Sequence, residues 1–268
     1  MWTVDGFILA GDVRLTKYRT DGSVEHTFIH KILPAQPRLS GIQCALAVCG
    51  DDPAACRNFF AEACVRDTLR EIAEHFAGKW TRRFAGTQDS SAIHIVGYER
   101  IPNSDVRMPQ MWYWHNWSQA DGFLSKERLE QDLSTFSDPI PANCHLPWKI
   151  RELTGKFPSG GPEDEYALVI AFLRLYQPFF TWNGDTSFWK SAAETVGAGL
   201  NLLWRQKTTW TLDEAVELTE YCLRFLTNLA KLLPASTVGV SPDDDFDVLV
   251  VAPENWRWIQ RAKLPNGE

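Results

Sequence analysis

IQCALAVCG, from Ile42 to Gly50, carries no charge, and Gln43 is its one strongly polar side chain. A run of this kind without alternation fits a strand covered on both faces, so the rest of the chain must supply a layer on each side. One such layer follows at once. Asp51 or Asp52 can cap a helix, Pro53 suits its first turn and Gly78 can end it. Between them Cys56, Phe59, Phe60, Ala63, Cys64, Leu69, Ile72, Ala73 and Phe76 recur at helical spacing. That stripe predicts one long amphipathic helix packed on the preceding strands.

Around this pair, Val4–Ala10 and the loosely alternating His26–Leu33 read as strands. Ser91–Arg100 and Met108–Trp117 form an expected antiparallel pair joined by IPNSDV. From 118 to about 160 the chain turns polar and proline-rich, which marks an irregular insertion. Helical patterns return in EDEYALVIAFLRLY, in TSFWKSAAETVGAGLNLLWRQ and most clearly in Thr211–Leu233. There Thr211 and Glu214 have capping-box spacing, and Pro234 stops the helix. A last strand, FDVLVVAPE, follows an acidic turn at Asp243–Asp245. Strands, helix, strand pair, helices, strand make an α+β or layered αββα order over a single domain, 1–268. No internal repeat is seen.

Composition narrows the partners. The net charge is -7 with no basic block, which disfavours nucleic acid and anionic membrane surfaces. No stretch approaches the roughly 18 apolar residues of a membrane helix. A basic segment leading into an apolar one is missing from the start, and the six cysteines lack zinc-like spacing. A cytoplasmic protein with reduced thiols is expected.

Other side chains admit bland and sharp interpretations. Cys49, before Gly50, is a reactive thiol at a helix N-terminus or, given the apolar run, a buried inert one. In WYWHNW, Trp112, Trp114 and Asn116 share one face and Tyr113, His115 and Trp117 the other. That segment suits a ligand-stacking platform, a subunit contact or, more plainly, a strand buried on both faces. His94 and His115 lie on the expected strand pair but lack a third ligand. Asp243, Asp244, Asp245 and Asp247 do not fit a calcium loop and read as a solvated hairpin turn. No metal and no cofactor are expected.

Asp12 and Arg14 remain. Two apart, they share a face if they lie on one strand, as a structural ion pair or as half of an active site. DGFILAGDVRLT resembles the second-strand signature of proteasome-type N-terminal-nucleophile hydrolases, with its glycine turn and Asp-x-Arg-x-Thr ending. HKILP (His30–Pro34) resembles the Lys-Ile segment that follows, and ALAVCGDDPAACRNFF the next strand, glycine and helix. LDEAVELTEYCLRFLTNLAKLLPASTVGVSPDDDFDVLVVAPE is similar to the family's last helix, small-residue turn and closing strand.

The resemblance implies a four-layer αββα sandwich with mainly antiparallel sheets, and hydrolysis of an amide or peptide bond. In such enzymes an N-terminal Thr, Ser or Cys attacks the carbonyl and its own amine is the base. Asp12 would orient, Lys31 would activate the nucleophile, and Arg14 would be their structural partner. Gly50 would supply an oxyanion N–H at the start of the long helix. The family also implies a homo-oligomer, often a ring, acting on a peptide or amide substrate.

The chain departs from that pattern twice. The family's nucleophile lies about sixteen residues before the acid matched by Asp12, about five positions before Met1. Thr3 is nine residues from Asp12, too close for strand, turn and second strand, and loss of Met1 exposes Trp2. The family's acid before the final turn is also missing: LLPASTVG offers only Ser236 and Thr237. Three accounts stand: a nucleophile upstream of Met1, a noncatalytic relative kept for assembly or binding, or an ordinary Asp12–Arg14 ion pair.

Overall fold

A computed structural model describes residues 1–115, 210–232 and 246–265, apart from 4, 19–20, 36–40, 85–86, 88, 90 and 102. The expected insertion at 118–160, both helical patterns between 163 and 206, and the turns at Ser236–Thr237 and Asp243–Asp245 lie outside the described residues. In chain order the elements are β1 (Trp2–Thr3), β2 (Gly6–Asp12), β3 (Arg14–Tyr18), β4 (Val24–Phe28), β5 (Ile32–Pro34) and β6 (Ile42–Gly50). Then come α1 (Pro53–Ala63), α2 (Leu69–Phe84), β7 (Ser91–Arg100), β8 (Arg107–His115), α3 (Leu212–Leu232), β9 (Phe246–Val251) and β10 (Trp256–Gln260). The pairs β1/β2, β3/β4, β6/β7 and β7/β8 are antiparallel, so the fold is mixed α/β on mainly antiparallel sheets. Among the described residues no helix is long and apolar enough to cross a membrane.

Two compact units result: Met1–Ile32 with Leu173–Val250 and Arg257–Glu268, and Leu33–Phe172 with Val251–Trp256. In the first, a sheet of order β1-β2-β9-β10 carries α3. Ala215 and Val216 of α3 pack on Ile8, Phe246, Val248 and Val250, one face of each strand at the period of two. Thr211 begins α3 with the expected reciprocal box: Glu214 N–H donates to its Oγ1 at 3.3 Å and its own N–H to Glu214 Oε2 at 2.9 Å. The β3/β4 hairpin is seated by Val13, Phe28, Ala262 and Leu264.

In the second unit the sheet order is β5-β6-β7-β8, and β6 spans the Ile42–Gly50 run that its lack of alternation predicts. Cys44, Leu46 and Val48 of β6, with Ile93 and Ile95 of β7, face α1 and α2. Phe76, Trp80 and Phe84 are fully buried there, each worth on the order of 2–3 kcal/mol of burial. Trp112 and Trp114 stack at 6.0 Å and belong to this core, which settles WYWHNW as packing at those two positions.

Four expectations are corrected. The long helix is two helices, because Thr68 starts α2 with its own capping box: Glu71 N–H donates to Thr68 Oγ1 at 3.1 Å and Thr68 N–H to Glu71 Oε2 at 3.2 Å. Gly78 terminates nothing; it is an exposed position inside α2, and the stripe runs on to Trp80 and Phe84. His26–Leu33 is not one strand, since β4 ends at Phe28 and β5 begins at Ile32 in a different sheet. Asp247 is not in a solvated turn: it lies within β9 and is 1% exposed. A further strand, β10, was not anticipated.

Candidate active site

Asp12 is the last residue of β2. Val13, 1% exposed, then turns the chain out of that sheet, and Arg14 opens β3 in the hairpin. Asp12 and Arg14 therefore belong to different sheets, not to one strand face. The hairpin returns through Ile29, whose N–H donates to Val13 O at 2.8 Å. That bond delivers Lys31 to the junction. Its ammonium donates to Asp12 Oδ1 at 2.8 Å and to the carbonyl of Arg14 at 2.5 Å. The Lys31 and Asp12 side chains are 12% and 21% exposed, so the pair is only partly screened by water.

The sequence-matched residues thus come together in part: Asp12 by its carboxylate, Lys31 by its ammonium, Arg14 by its main chain. An ammonium has three donors. With two directed at Asp12 and Arg14, the third can stabilise an anion such as a deprotonating hydroxyl or thiol. Among the described residues Asp12 Oδ2 is buried without a hydrogen-bond partner.

Gly50 ends β6 in the second unit at φ 127, a conformation that favours glycine. The start of α1 beyond it already holds a carboxylate. Asp52 accepts from Ala55 N–H at 3.1 Å, and Arg83 bridges Asp52 at 3.0 Å and Asp89 at 2.7 Å. The positive end of the helix is thereby partly compensated from within the fold.

Thr3 is placed away from this chemistry. β1 pairs with β2 so that Thr3 faces Gly6, six residues from Asp12 along the strand, or roughly 20 Å. Its hydroxyl donates to Gly6 O at 3.4 Å and accepts from Asp5 N–H at 3.2 Å. The Met1 α-amine donates to Ile8 O at 2.7 Å, and burial lowers its pKa to about 5.

Unanticipated is a second pair in the same unit. His30 Nδ1 and Asp247 Oδ2 are 2.9 Å apart, at 2% and 1% residue exposure, and Asp247 Oδ1 accepts from Ala262 N–H at 2.9 Å. His30 Nε2 has no hydrogen-bond partner among the described residues. The clue in the sequence was an acid inside the apolar run FDVLVV, since a buried carboxylate requires a partner.

Among the described residues no three His, Cys, Asp or Glu side chains form a metal-binding group. In register His94 faces Tyr113, and His115 faces Ala92. Cys49 is partly exposed, not buried, at the end of β6.

No protein-family model matches the chain, and no curated protein matches it.

Proposed function

We propose that the chain is a proteasome-like N-terminal-nucleophile hydrolase, a four-layer αββα fold that cleaves an amide or peptide bond at the Asp12–Lys31 pair. The observation that carries this is Lys31, held by both the Asp12 carboxylate and the Arg14 carbonyl, as an ammonium fixed to activate a nucleophile needs. Register adds support. Paired residue numbers in β1/β2 sum to nine, and Met1 meets Ile8 in the same phase. Carried upstream, that register sets the residue four positions before Met1 opposite Asp12, beside the position about five before Met1 that the resemblance demands.

A second reading, a noncatalytic scaffold or binding subunit of a homo-oligomer, is favoured by Thr3, the hydroxyl nearest the start, which serves its own turn. N-terminal sequencing and intact mass of the protein from its native host, followed by labelling with an electrophile directed at N-terminal threonine, separate the two. The hydrolase begins upstream with Thr, Ser or Cys, is labelled, and loses labelling as Lys31→Ala. A chain that begins at Met1 and takes no label ends the hydrolase reading and leaves the scaffold.

A further inference from the structure

Lys31 lies between strands. β4 ends at Phe28 and β5 begins at Ile32, so Ile29, His30 and Lys31 belong to neither. A lysine head on a long flexible stem stays on two acceptors only if its own backbone is fixed. Two tethers act on this tripeptide, both within one unit. Ile29 N–H donates to Val13 O at 2.8 Å, and the next side chain, His30, reaches Asp247 of β9 at 2.9 Å. Both anchors converge on the segment after β10. Asp247 Oδ1 accepts the Ala262 N–H at 2.9 Å, and Ala262 and Leu264 pack with Val13 and Phe28.

We propose that His30 and Asp247 are positioning residues for Lys31: their buried bond fixes the segment Ile29–Lys31, so that the ammonium stays on the Asp12 carboxylate and the Arg14 carbonyl. What that placement does for a nucleophile rests on the hydrolase reading; the placement itself does not. A carboxylate only accepts, so the imidazole donates from Nδ1 and Asp247 sets the orientation of the ring. Both residues are buried, so water does not compete for the bond, and it is a firmer anchor than a solvent-exposed pair. The Lys31 ammonium is bonded to Asp12 and Arg14, so His30 and Asp247 act on it through the main chain.

The test is limited acetylation of the full chain with mass mapping, reading Lys31 against Lys263, an exposed lysine of the same unit. An ammonium held by two acceptors at 12% side-chain exposure is shielded, so Lys31 should react more slowly than Lys263 in the wild type. In His30→Leu, which keeps bulk but loses the donor, the ratio of Lys31 to Lys263 should rise roughly tenfold. His30→Asn places an amide donor near the position of Nδ1 and should restore the wild-type ratio. Lys79, bound to Glu62 in the second unit, reports general loosening and should not change.

If His30→Leu is insoluble, Asp247→Asn decides. Its carboxamide still takes the Ala262 N–H but turns a donor toward Nδ1, which forces the ring proton onto the buried Nε2, and the ratio should rise there too. An unchanged ratio in the folded variants overturns the proposal. So does a rise shared equally by Lys79, which is what a merely structural pair would give. The hydrolase reading fails separately, when the upstream-extended chain takes no electrophile label whatever the ratio. Where label is taken, His30→Leu should slow it by up to roughly 100-fold, the effect of displacing a catalytic group by about 1 Å.

Discussion

His30 and Asp247 meet at 2.9 Å in the interior of one unit although they are 217 positions apart in the chain. The Asp247 carboxylate also accepts the Ala262 N–H, so one buried side chain fastens the approach to β5, strand β9 and the segment after β10. Removing it strands an imidazole and an amide at once. Asp247→Ala should cost about 3–5 kcal/mol in urea unfolding, and a cycle with His30→Ala should show strong coupling. Additive losses would mean that the two groups act separately.

On the scaffold reading, in which the chain begins at Met1, burial of the Met1 amine makes stability depend on pH in a defined window. Its pKa is about 5 folded and 8.0 unfolded, so between these values the unfolded chain binds more protons. This contribution is fully present above pH 8 and is lost as pH falls toward 5, by at most on the order of 4 kcal/mol. N-terminal acetylation retains one N–H for Ile8 O and abolishes the titration. Unfolding at pH 8 and pH 5.5 should therefore differ less for the acetylated chain.

Gly97→Ala should be severely destabilising. The new Cβ would run into the Gln43 carbonyl and Cys44 of β6, and backbone cannot step aside inside a paired ladder. A loss of about 3 kcal/mol or more, or insoluble expression, is expected. Gly78→Ala is the internal control: nothing lies within 4 Å of its Cβ position, and the change should stabilise α2 by about 0.5–1 kcal/mol.

Glu99 of β7 accepts the Leu69 N–H at 3.1 Å and accepts from Gln110 Nε2 at 3.3 Å. Burial raises its pKa, so the folded chain binds the extra proton and this residue's contribution declines as pH rises above the unfolded value of 4.5. Glu99→Gln keeps an acceptor without the desolvated charge and should match or exceed the wild-type melting temperature at neutral pH. Glu99→Ala should lose about 1–2 kcal/mol, and Thr68→Ala about 1 kcal/mol from the same helix start.

The elements legible in the sequence are those whose signals are local. β6 shows itself by unbroken apolarity, and α3 by its period and the Thr211–Glu214 box. The break after α1 was masked because the apolar stripe continues in usable phase across it, although Thr68 and Glu71 carry the same box spacing. The Asp12–Lys31 pair came only from resemblance; its members are nineteen positions apart with a hairpin between them, and no local period joins them. Asp247 was hidden by its acidic neighbours, and only burial distinguishes it from them.

The debt of α2 to Glu99 also bears on the order in which the chain is made. Leu69 precedes its acceptor by thirty residues, so a growing polypeptide that has reached residue 90 contains all of α2 but not the carboxylate that closes its first turn. The helix is completed only as β7 is delivered, and its opening turn should be protected from hydrogen exchange no earlier than the strand that caps it.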